Sequence, residues 1–204
     1  MVTAPTASIA PPGTDARGVP RQRPSSGGRL PFPEGGPRSI LVEPVPVDPT
    51  RLRAAYGSFP SGVTAMCALV DGRPVGMAAS SFTSVSLAPP LVSVCVRDSS
   101  ATWRVLRGRS RLGISVLAED QDLACRALAA KRGDRFAGVE WGATAAGAVF
   151  VRGATVWFDC AVYAEVPAGD HAIVLLEVHA LAADPDAAPL VFHGSRFHRL
   201  SPLV

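Results

Sequence analysis

The residues best suited to chemistry in this sequence are small and hydroxylated, and they cluster in the stretch GMAASSFTSVSLAPPLVSV, residues 76–94. A strand that only had to pack would favour β-branched or aromatic side chains at Ala78, Ala79, Ser80 and Ser81. Short side chains leave backbone N–H and C=O groups open to the edge of a planar ligand. The same pattern also suits a strand crowded by neighbouring backbone, so the stretch alone leaves both interpretations open.

Two further clusters could bind an anionic group. Ser100 and Thr102 carry hydroxyls at the start of a predicted helix, beside unpaired N–H groups and the positive end of the helix dipole. The basic run KRGDRF supplies a cation next to an aromatic ring, through Lys131, Arg135 and Phe136. A helix cap and a solvated helix end are the ordinary alternatives. Together with the small-residue stretch, these clusters indicate a site for a phosphorylated, planar cofactor.

The histidines and cysteines do not suggest a metal site. His171 follows a Gly-Asp turn and opens a predicted strand, where a structural role and a ligand contact are both open. His193 and His198 flank a tight hairpin, and nothing in their spacing makes them a metal pair. The four cysteines are far apart and form no CxxC pair, so neither a zinc site nor a redox motif is expected. Cys67, Cys95 and Cys160 lie in apolar runs and are expected to be buried free thiols, as in a reducing compartment.

The elements that must position these residues are mostly strands. Helices are predicted over DPTRLRAAYGSFP, SSATWRVLRG and EDQDLACRALAAKRG, from their capping residues and charge patterns. Asp71-Gly72 joins two strand-like runs and is a strong hairpin signal. Six to eight strands with two or three short helices, without regular βαβ alternation, predict a mainly β fold. We expect a closed or nearly closed antiparallel barrel.

Composition separates the chain into two parts. Residues 1–47 hold 10 of the 19 prolines and are expected to be a disordered tail, whereas residues 48–204 are expected to form one domain. The net charge of +3 is small, whereas nucleic-acid-binding domains usually carry a concentrated basic face, so nucleic acid is not expected as a partner. No apolar run is long enough for a membrane span, and no leader peptide is recognisable, so a cytoplasmic location is expected.

Six segments occur in an order typical of one known family. They are FPSGV, GMAASSFTSVSLAPPLVSVCV, SSAT, KRGDRF, PAGDH and FHGSRFHRL. In this order the sequence resembles the short-chain flavin reductases with the FMN-binding split-barrel fold. These enzymes are the NAD(P)H-dependent reductase components of two-component flavin-dependent monooxygenases. The resemblance covers residues 48–200.

The resemblance implies a homodimer that binds FAD or FMN near the subunit interface. NADH or NADPH would reduce the flavin, which would then pass to a separate flavin-dependent monooxygenase or halogenase, in the setting of a biosynthetic pathway. A split-barrel module that binds flavin without turnover is the alternative.

The resemblance also implies roles for individual residues. The isoalloxazine and ribityl chain would be lined by Ala78, Ala79, Ser80, Ser81, Phe82 and Thr83. Ser100 and Thr102 would meet the phosphate. The phosphate or the adenylate end would be reached by Lys131, Arg135 and Phe136. His171 would lie near the nicotinamide. No metal is implied.

Overall fold

The computed structural model describes residues 44–45 and 48–201. Nearly all of the tail expected over residues 1–47 therefore lies outside the described residues. Three helices are described: α1 (Pro49–Tyr56), α2 (Ala101–Leu106) and α3 (Asp122–Ala129). The strands are β1 (Ser61–Gly62), β2 (Thr64–Val70), β3 (Arg73–Ala79), β4 (Thr83–Leu87), β5 (Pro90–Arg97), β6 (Leu112–Val116), β7 (Trp141–Ala143), β8 (Val149–Val151), β9 (Val156–Ala168), β10 (His171–Ala183), β11 (Val191–His193) and β12 (Arg196–His198).

The predicted helices form at the predicted places, and their ends follow local capping chemistry. Asp48 caps α1 by accepting a hydrogen bond from the Thr50 N–H at 2.8 Å. Ser100 caps α2 by accepting from the Trp103 N–H at 3.1 Å. The predicted helix EDQDLACRALAAKRG included Lys131 in its last turn. Helix α3 ends at Ala129 instead, so Lys131 lies in the loop that follows. None of these helices combines the length and apolar character needed to cross a bilayer.

The main sheet is antiparallel throughout and nearly closes on itself. Its strand order is β3-β2-β6-β9-β10-β5-β4, with β1-β11-β12 and β7-β8 as smaller sheets. Strands β3 and β4 are the two ends of this order, yet they follow each other in the chain and are joined only by residues 80–82. The mainly β, antiparallel barrel prediction is therefore confirmed, and the split in the barrel lies at residues 80–82.

The hairpin between β2 and β3 turns at Asp71 and Gly72, whose φ angles of 50° and 76° suit a tight hairpin. Strand β2 is buried on both faces because a different core lies on each side. Met66 packs in one cluster with Trp103 and Leu106 of α2. Cys67 packs in a second cluster with Cys125 and Leu128 of α3. This explains why the strand shows no polar alternation in the sequence.

The short hairpin of β7 and β8 was not predicted, because each strand is only three residues long. It packs across β6 at Gly113, where a Cβ atom would overlap the Val149 carbonyl. The buried Ser115 hydroxyl accepts a hydrogen bond from the Val151 N–H at 3.0 Å. A glycine and a small hydroxyl on β6 therefore allow this second layer to approach the sheet closely.

The cysteine predictions hold with one exception. Cys67 and Cys160 are buried and free as expected, whereas Cys95 is exposed; Cys125, for which burial was not predicted, is also buried and free. The neighbours of Cys95 on β5, Val94 and Val96, face the first core, so Cys95 points to the opposite, outer face. Periodicity within an apolar run did not reveal which face would be covered.

Candidate functional site

The free edge of β3 presents backbone groups that no neighbouring strand uses. Arg135 Nη1 donates to the Gly76 carbonyl at 3.0 Å, so this carbonyl points away from β2. Backbone groups of an antiparallel strand alternate in direction, so those of Ala78 point to the same open edge. In the described part of the chain, no hydrogen bond from another element reaches the Ala78 N–H or C=O.

A pocket of about 270 Å³, here called the rim pocket, opens beside this edge. It is lined by Val63, by Ala78, Ala79 and Ser80, by Cys125, Arg126 and Ala129 of α3, and by Phe192, Ser195 and Phe197 of the β11–β12 hairpin. The lining is mostly apolar and small on the β3 side, and aromatic on the hairpin side. Such a pocket suits a flat ring system whose edge meets the main chain.

Arg126 supplies a cation to the wall of the rim pocket. Its guanidinium carbon lies 4.9 Å from the centroid of the Phe197 ring, in a cation–π arrangement. Its Nε lies 3.4 Å from Asp122 Oδ2, one turn earlier on α3. Sequence reasoning missed Arg126, Ser195 and Phe197, because only the tertiary fold brings α3 and the last hairpin to β3. For Ser195 and Phe197 the one available signal was the segment FHGSRFHRL, which the family resemblance already contained.

A second pocket, here called the loop pocket, has a volume of about 280 Å³. It is lined by Pro74, Val75 and Gly76 of β3, Thr102 of α2, and Gly133, Asp134, Arg135 and Phe136 of the loop after α3. The structure thus brings together Thr102 and Arg135, two residues that the sequence singled out in separate clusters.

Arg135 holds the walls of the loop pocket together. Its Nε donates to the Ala130 carbonyl at 2.8 Å, and its Nη1 donates to Gly76 O and to Thr102 Oγ1, the latter at 2.8 Å. The guanidinium therefore links α2, β3 and the loop after α3. It places a permanent positive charge beside the Thr102 hydroxyl.

The neighbours of Arg135 differ in what they can offer a ligand. Phe136 is only 8% exposed, and its ring packs edge-on against Trp141 at a centroid distance of 6.4 Å within the second core. Lys131 is exposed in the loop and lines neither pocket. Phe136 forms part of the wall of the loop pocket, while most of its ring packs in the second core.

The predicted stretch from Ala78 to Thr83 divides into two groups. Ala78, Ala79 and Ser80 line the rim pocket. The Ser81 hydroxyl forms hydrogen bonds with the backbone N–H and C=O of Cys95. Phe82 stacks on Phe158 at 5.9 Å between centroids, and Thr83 begins β4 opposite Ser93.

Ser100 lies at the start of α2 and serves as its N-cap. Its hydroxyl also lies 4.0 Å from the Met77 sulfur, next to the β3 edge. The cap and the edge of β3 are therefore neighbours, although Ser100 lines neither pocket.

His171 lies at the start of β10, opposite Arg97 of β5, and lines neither pocket. Its Nδ1 is 2.7 Å from Asp170 Oδ1. This hydrogen bond, together with the imidazole charge, lowers the pKa of the exposed Asp170 carboxyl below its usual value. The side chain shares the outer face of the sheet with Ile173 and Cys95, because Val174 and Val94 face the core.

Comparison with known proteins places the chain in a family. Residues 56–201 match the model of the flavin reductase like domain. An NADH-dependent FAD reductase of Streptomyces globisporus is 36% identical over 171 residues, covering 81% of this chain and 92% of that protein. The reductase subunit HsaB of a flavin-dependent monooxygenase from Rhodococcus jostii is 32% identical over 156 residues, covering 76% of this chain and 80% of that protein.

Solved structures agree with this assignment. An NADH:FAD oxidoreductase of Streptomyces globisporus, in complex with NAD and FAD fragments, has a TM-score of 0.74 at 37% identity and covers 80% of this chain and 98% of that chain. BorF, the flavin reductase component of a bacterial two-component tryptophan halogenase, has a TM-score of 0.70 at 35% identity and covers 76% of this chain and 100% of that chain. The chain therefore belongs to the flavin reductase-like domain family.

Proposed function

We propose that this flavin reductase transfers hydride from NADH or NADPH to FAD or FMN at the free edge of β3, and that it supplies reduced flavin to a separate flavin-dependent monooxygenase or halogenase. The observation that carries the proposal is the open main chain of Ala78 in a pocket walled by small residues on one side. The family assignment supplies the reaction class, and the rim pocket supplies a place for it.

The rim pocket fits an isoalloxazine ring. The edge of that ring carries both hydrogen-bond donors and acceptors, which match the free N–H and C=O of Ala78. The short side chains of Ala78, Ala79 and Ser80 let a flat ring approach the backbone. The aromatic rings of Phe192 and Phe197 on the opposite wall exclude water from the ring faces.

The loop pocket fits a phosphate. Thr102 offers a hydroxyl, and Arg135 offers a fixed positive charge next to it. Gly76 lines the loop pocket and Ala78 lines the rim pocket, and two residues of a strand span about 7 Å. One elongated molecule lying along β3 can therefore reach both pockets.

The reaction asks the protein for orientation more than for acid–base catalysis. A bound flavin supplies the centre that accepts the hydride, and the nicotinamide nucleotide donates it directly. The chain's contribution is to hold the two planar groups in order and to keep water away from them. This fits the rim pocket, because Cys125 and Arg126 are the only titratable side chains among the described residues that line it, and Arg126 is paired with Asp122 outside the lining.

A second copy of the chain completes this proposal. The outer face of the sheet carries two rows across β9, β10 and β5 that are apolar except for the buried Ser93: Val166, Ile173 and Cys95, then Ala164, Leu175 and Ser93. Val166 is 46% exposed and Cys95 is also exposed in the single chain. A largely apolar face of this kind favours association. Because His171 lies on this face and lines neither pocket, we assign its contact with the nicotinamide to the assembled homodimer.

One spectrophotometric experiment tests the reaction. NADH and NADPH are each combined with FAD and with FMN, and nucleotide oxidation is followed at 340 nm. We expect oxidation that requires added flavin and saturates with it, and the four combinations also identify the preferred pair. Absence of flavin-dependent oxidation in all four would overturn the proposal. A tightly held yellow chromophore without nucleotide consumption would instead establish the non-catalytic flavin-binding module.

A second experiment tests the homodimer. We expect light scattering to give twice the chain mass and Cys95 to resist alkylation in the native protein. Val166→Glu places a charge in the apolar row and should yield monomers in which Cys95 reacts readily. A wild-type protein that is monomeric at micromolar concentration, with a reactive Cys95, would contradict the dimer.

The cytoplasm remains our proposed location. Cys67, Cys125 and Cys160 are buried and free, which suits a reducing compartment. Fractionation of the native host, with the protein detected by antibody, tests this proposal.

A further inference from the structure

Ser81 lies at the split of the barrel, where the chain crosses from β3 to β4. The β4–β5 ladder pairs Thr83 with Ser93, so an unbroken antiparallel register would place Ser81 opposite Cys95. The main chain has already left the sheet at this point, since residues 80–82 belong to no strand. Two residues, Ser81 and Phe82, therefore separate the last rim-pocket residue of this stretch, Ser80, from the start of the ladder at Thr83.

The Ser81 hydroxyl replaces the missing backbone partner of Cys95. Ser81 Oγ accepts a hydrogen bond from the Cys95 N–H at 2.9 Å and donates one to the Cys95 carbonyl at 3.1 Å. A single side-chain oxygen thus satisfies both backbone groups that β4 would otherwise pair. The hydroxyl proton is committed to the Cys95 carbonyl, so it has no proton left to donate to a ligand.

The neighbouring Ser80 is in the opposite situation. It lines the rim pocket and is exposed, and no described residue forms a hydrogen bond with its hydroxyl. Two adjacent serines with the same chemistry therefore serve different purposes. Ser80 faces the cofactor space, whereas Ser81 faces the sheet.

We infer that Ser81 is a positioning residue of the flavin site and not a flavin ligand. Its hydroxyl anchors the segment of residues 80–82 to β5, so that the main chain can turn away from the sheet while Ala78, Ala79 and Ser80 stay at the rim pocket. This inference rests on the proposed function for its catalytic consequence, but the anchor itself is a property of the flavin-free chain.

The test compares Ser81→Ala with Ser81→Thr, and uses Ser80→Ala as the matched control. The first readout is hydrogen–deuterium exchange of the Cys95 amide in the flavin-free protein. We expect Ser81→Ala to accelerate this exchange roughly ten-fold or more, because the amide loses its acceptor. Ser81→Thr should restore slow exchange, and Ser80→Ala should leave it unchanged.

The second readout separates positioning from a general loss of structure. With Ser81→Ala we expect the KM for flavin to rise several-fold, because Ala78, Ala79 and Ser80 are held less firmly at the rim pocket. We expect kcat to stay within about two-fold of the wild type, because the bound ring reacts in the same way. Ser81→Thr should restore the KM. If Ser81→Ala fails to fold, the isosteric pair Ser81→Thr and Ser81→Val, which differ only by the hydroxyl, replaces it in both measurements.

Two outcomes would overturn the inference. Unchanged exchange of the Cys95 amide in Ser81→Ala would show that the Ser81 hydroxyl does not anchor residues 80–82 to β5. A raised flavin KM with unchanged exchange would show that Ser81 contacts the flavin directly. The exchange measurement needs no flavin, so a failure of the reductase assay in the wild-type protein would count against the proposed function alone.

Discussion

Arg135 Nη1 and Thr102 Oγ1 are joined by a 2.8 Å hydrogen bond across 33 positions of the chain. The same nitrogen donates to the Gly76 carbonyl, and Nε of the same side chain donates to the Ala130 carbonyl. One guanidinium therefore sets the spacing between α2, the β3 edge and the loop after α3. A charge at this position serves the architecture of the loop pocket as well as any anion that enters it.

Replacing Arg135 by Lys should weaken both stability and flavin binding. Lysine keeps the charge but lacks the planar fork, so at least one of the three acceptors is lost. We expect the free energy of unfolding in urea to fall by about 1–3 kcal/mol, together with a higher KM for flavin. Arg132→Lys is the matched control, because Arg132 is exposed in the same loop and should change stability by less than about 0.5 kcal/mol. Equal effects of the two variants would contradict the role of Arg135 in linking α2, β3 and the loop after α3.

Replacing Ser80 by Leu should block the rim pocket without unfolding the protein. Ser80 is exposed and lines the pocket, so a larger side chain there enters the space assigned to the ring and not the core. We expect flavin-dependent NADH oxidation to fall at least about ten-fold through KM, with the urea midpoint close to that of the wild type. Ser110→Leu, at an exposed position that lines neither pocket, controls for added hydrophobicity. Full activity in Ser80→Leu would place the ring elsewhere.

Gly113→Ala should destabilise the fold strongly. A Cβ at this position would overlap the backbone of Val149 on β8, and backbone cannot move aside as a side-chain end can. We expect a loss of about 2–3 kcal/mol or more in urea unfolding. Gly108→Ala provides the comparison, because a Cβ added there would meet no other residue within 4 Å and the φ of Gly108 is not left-handed. Gly108→Ala should be neutral or slightly stabilising. A small loss of stability in Gly113→Ala would mean that β8 does not pack closely on β6.

Alkaline pH should destabilise the protein through its buried thiols. Burial raises the pKa of the Cys67 thiol to about 12. The pKa of the Cys160 thiol is also raised to about 12, mainly by burial and to a smaller extent by the negative charge of Asp159. Both would titrate near 9.0 without these effects. The folded state thus keeps protons that the unfolded chain releases, so the contribution to stability is complete below pH 9 and is lost as pH rises towards 12. Urea unfolding at pH 8 and pH 10 measures this fall, and Cys67→Ala should make it shallower; an equal fall in that variant would assign it to other groups.

Local features of this protein could be predicted from its sequence because their causes are local. Asp71-Gly72 turns a hairpin through its own φ angles, and Ser100 caps α2 through an N–H only three residues away. The small residues of the rim are likewise a property of one stretch of chain. The fold class and the family followed from the order of such signals, and both are confirmed, whereas the homodimer and the domain boundary at residue 48 remain predictions.

Tertiary structure alone decided which of the candidate side chains face the site. Ser81 and Ser80 are indistinguishable by type and spacing, yet one bonds to Cys95, 14 positions away, and the other opens into the rim pocket. Arg135 reaches Gly76 across 59 positions, and Phe136 beside it turns into the core. The sequence specifies which groups are available and which segments are extended, but a hydrogen-bond partner or a covered face depends on how distant strands close around one another. That closure determines which atoms remain free for a ligand.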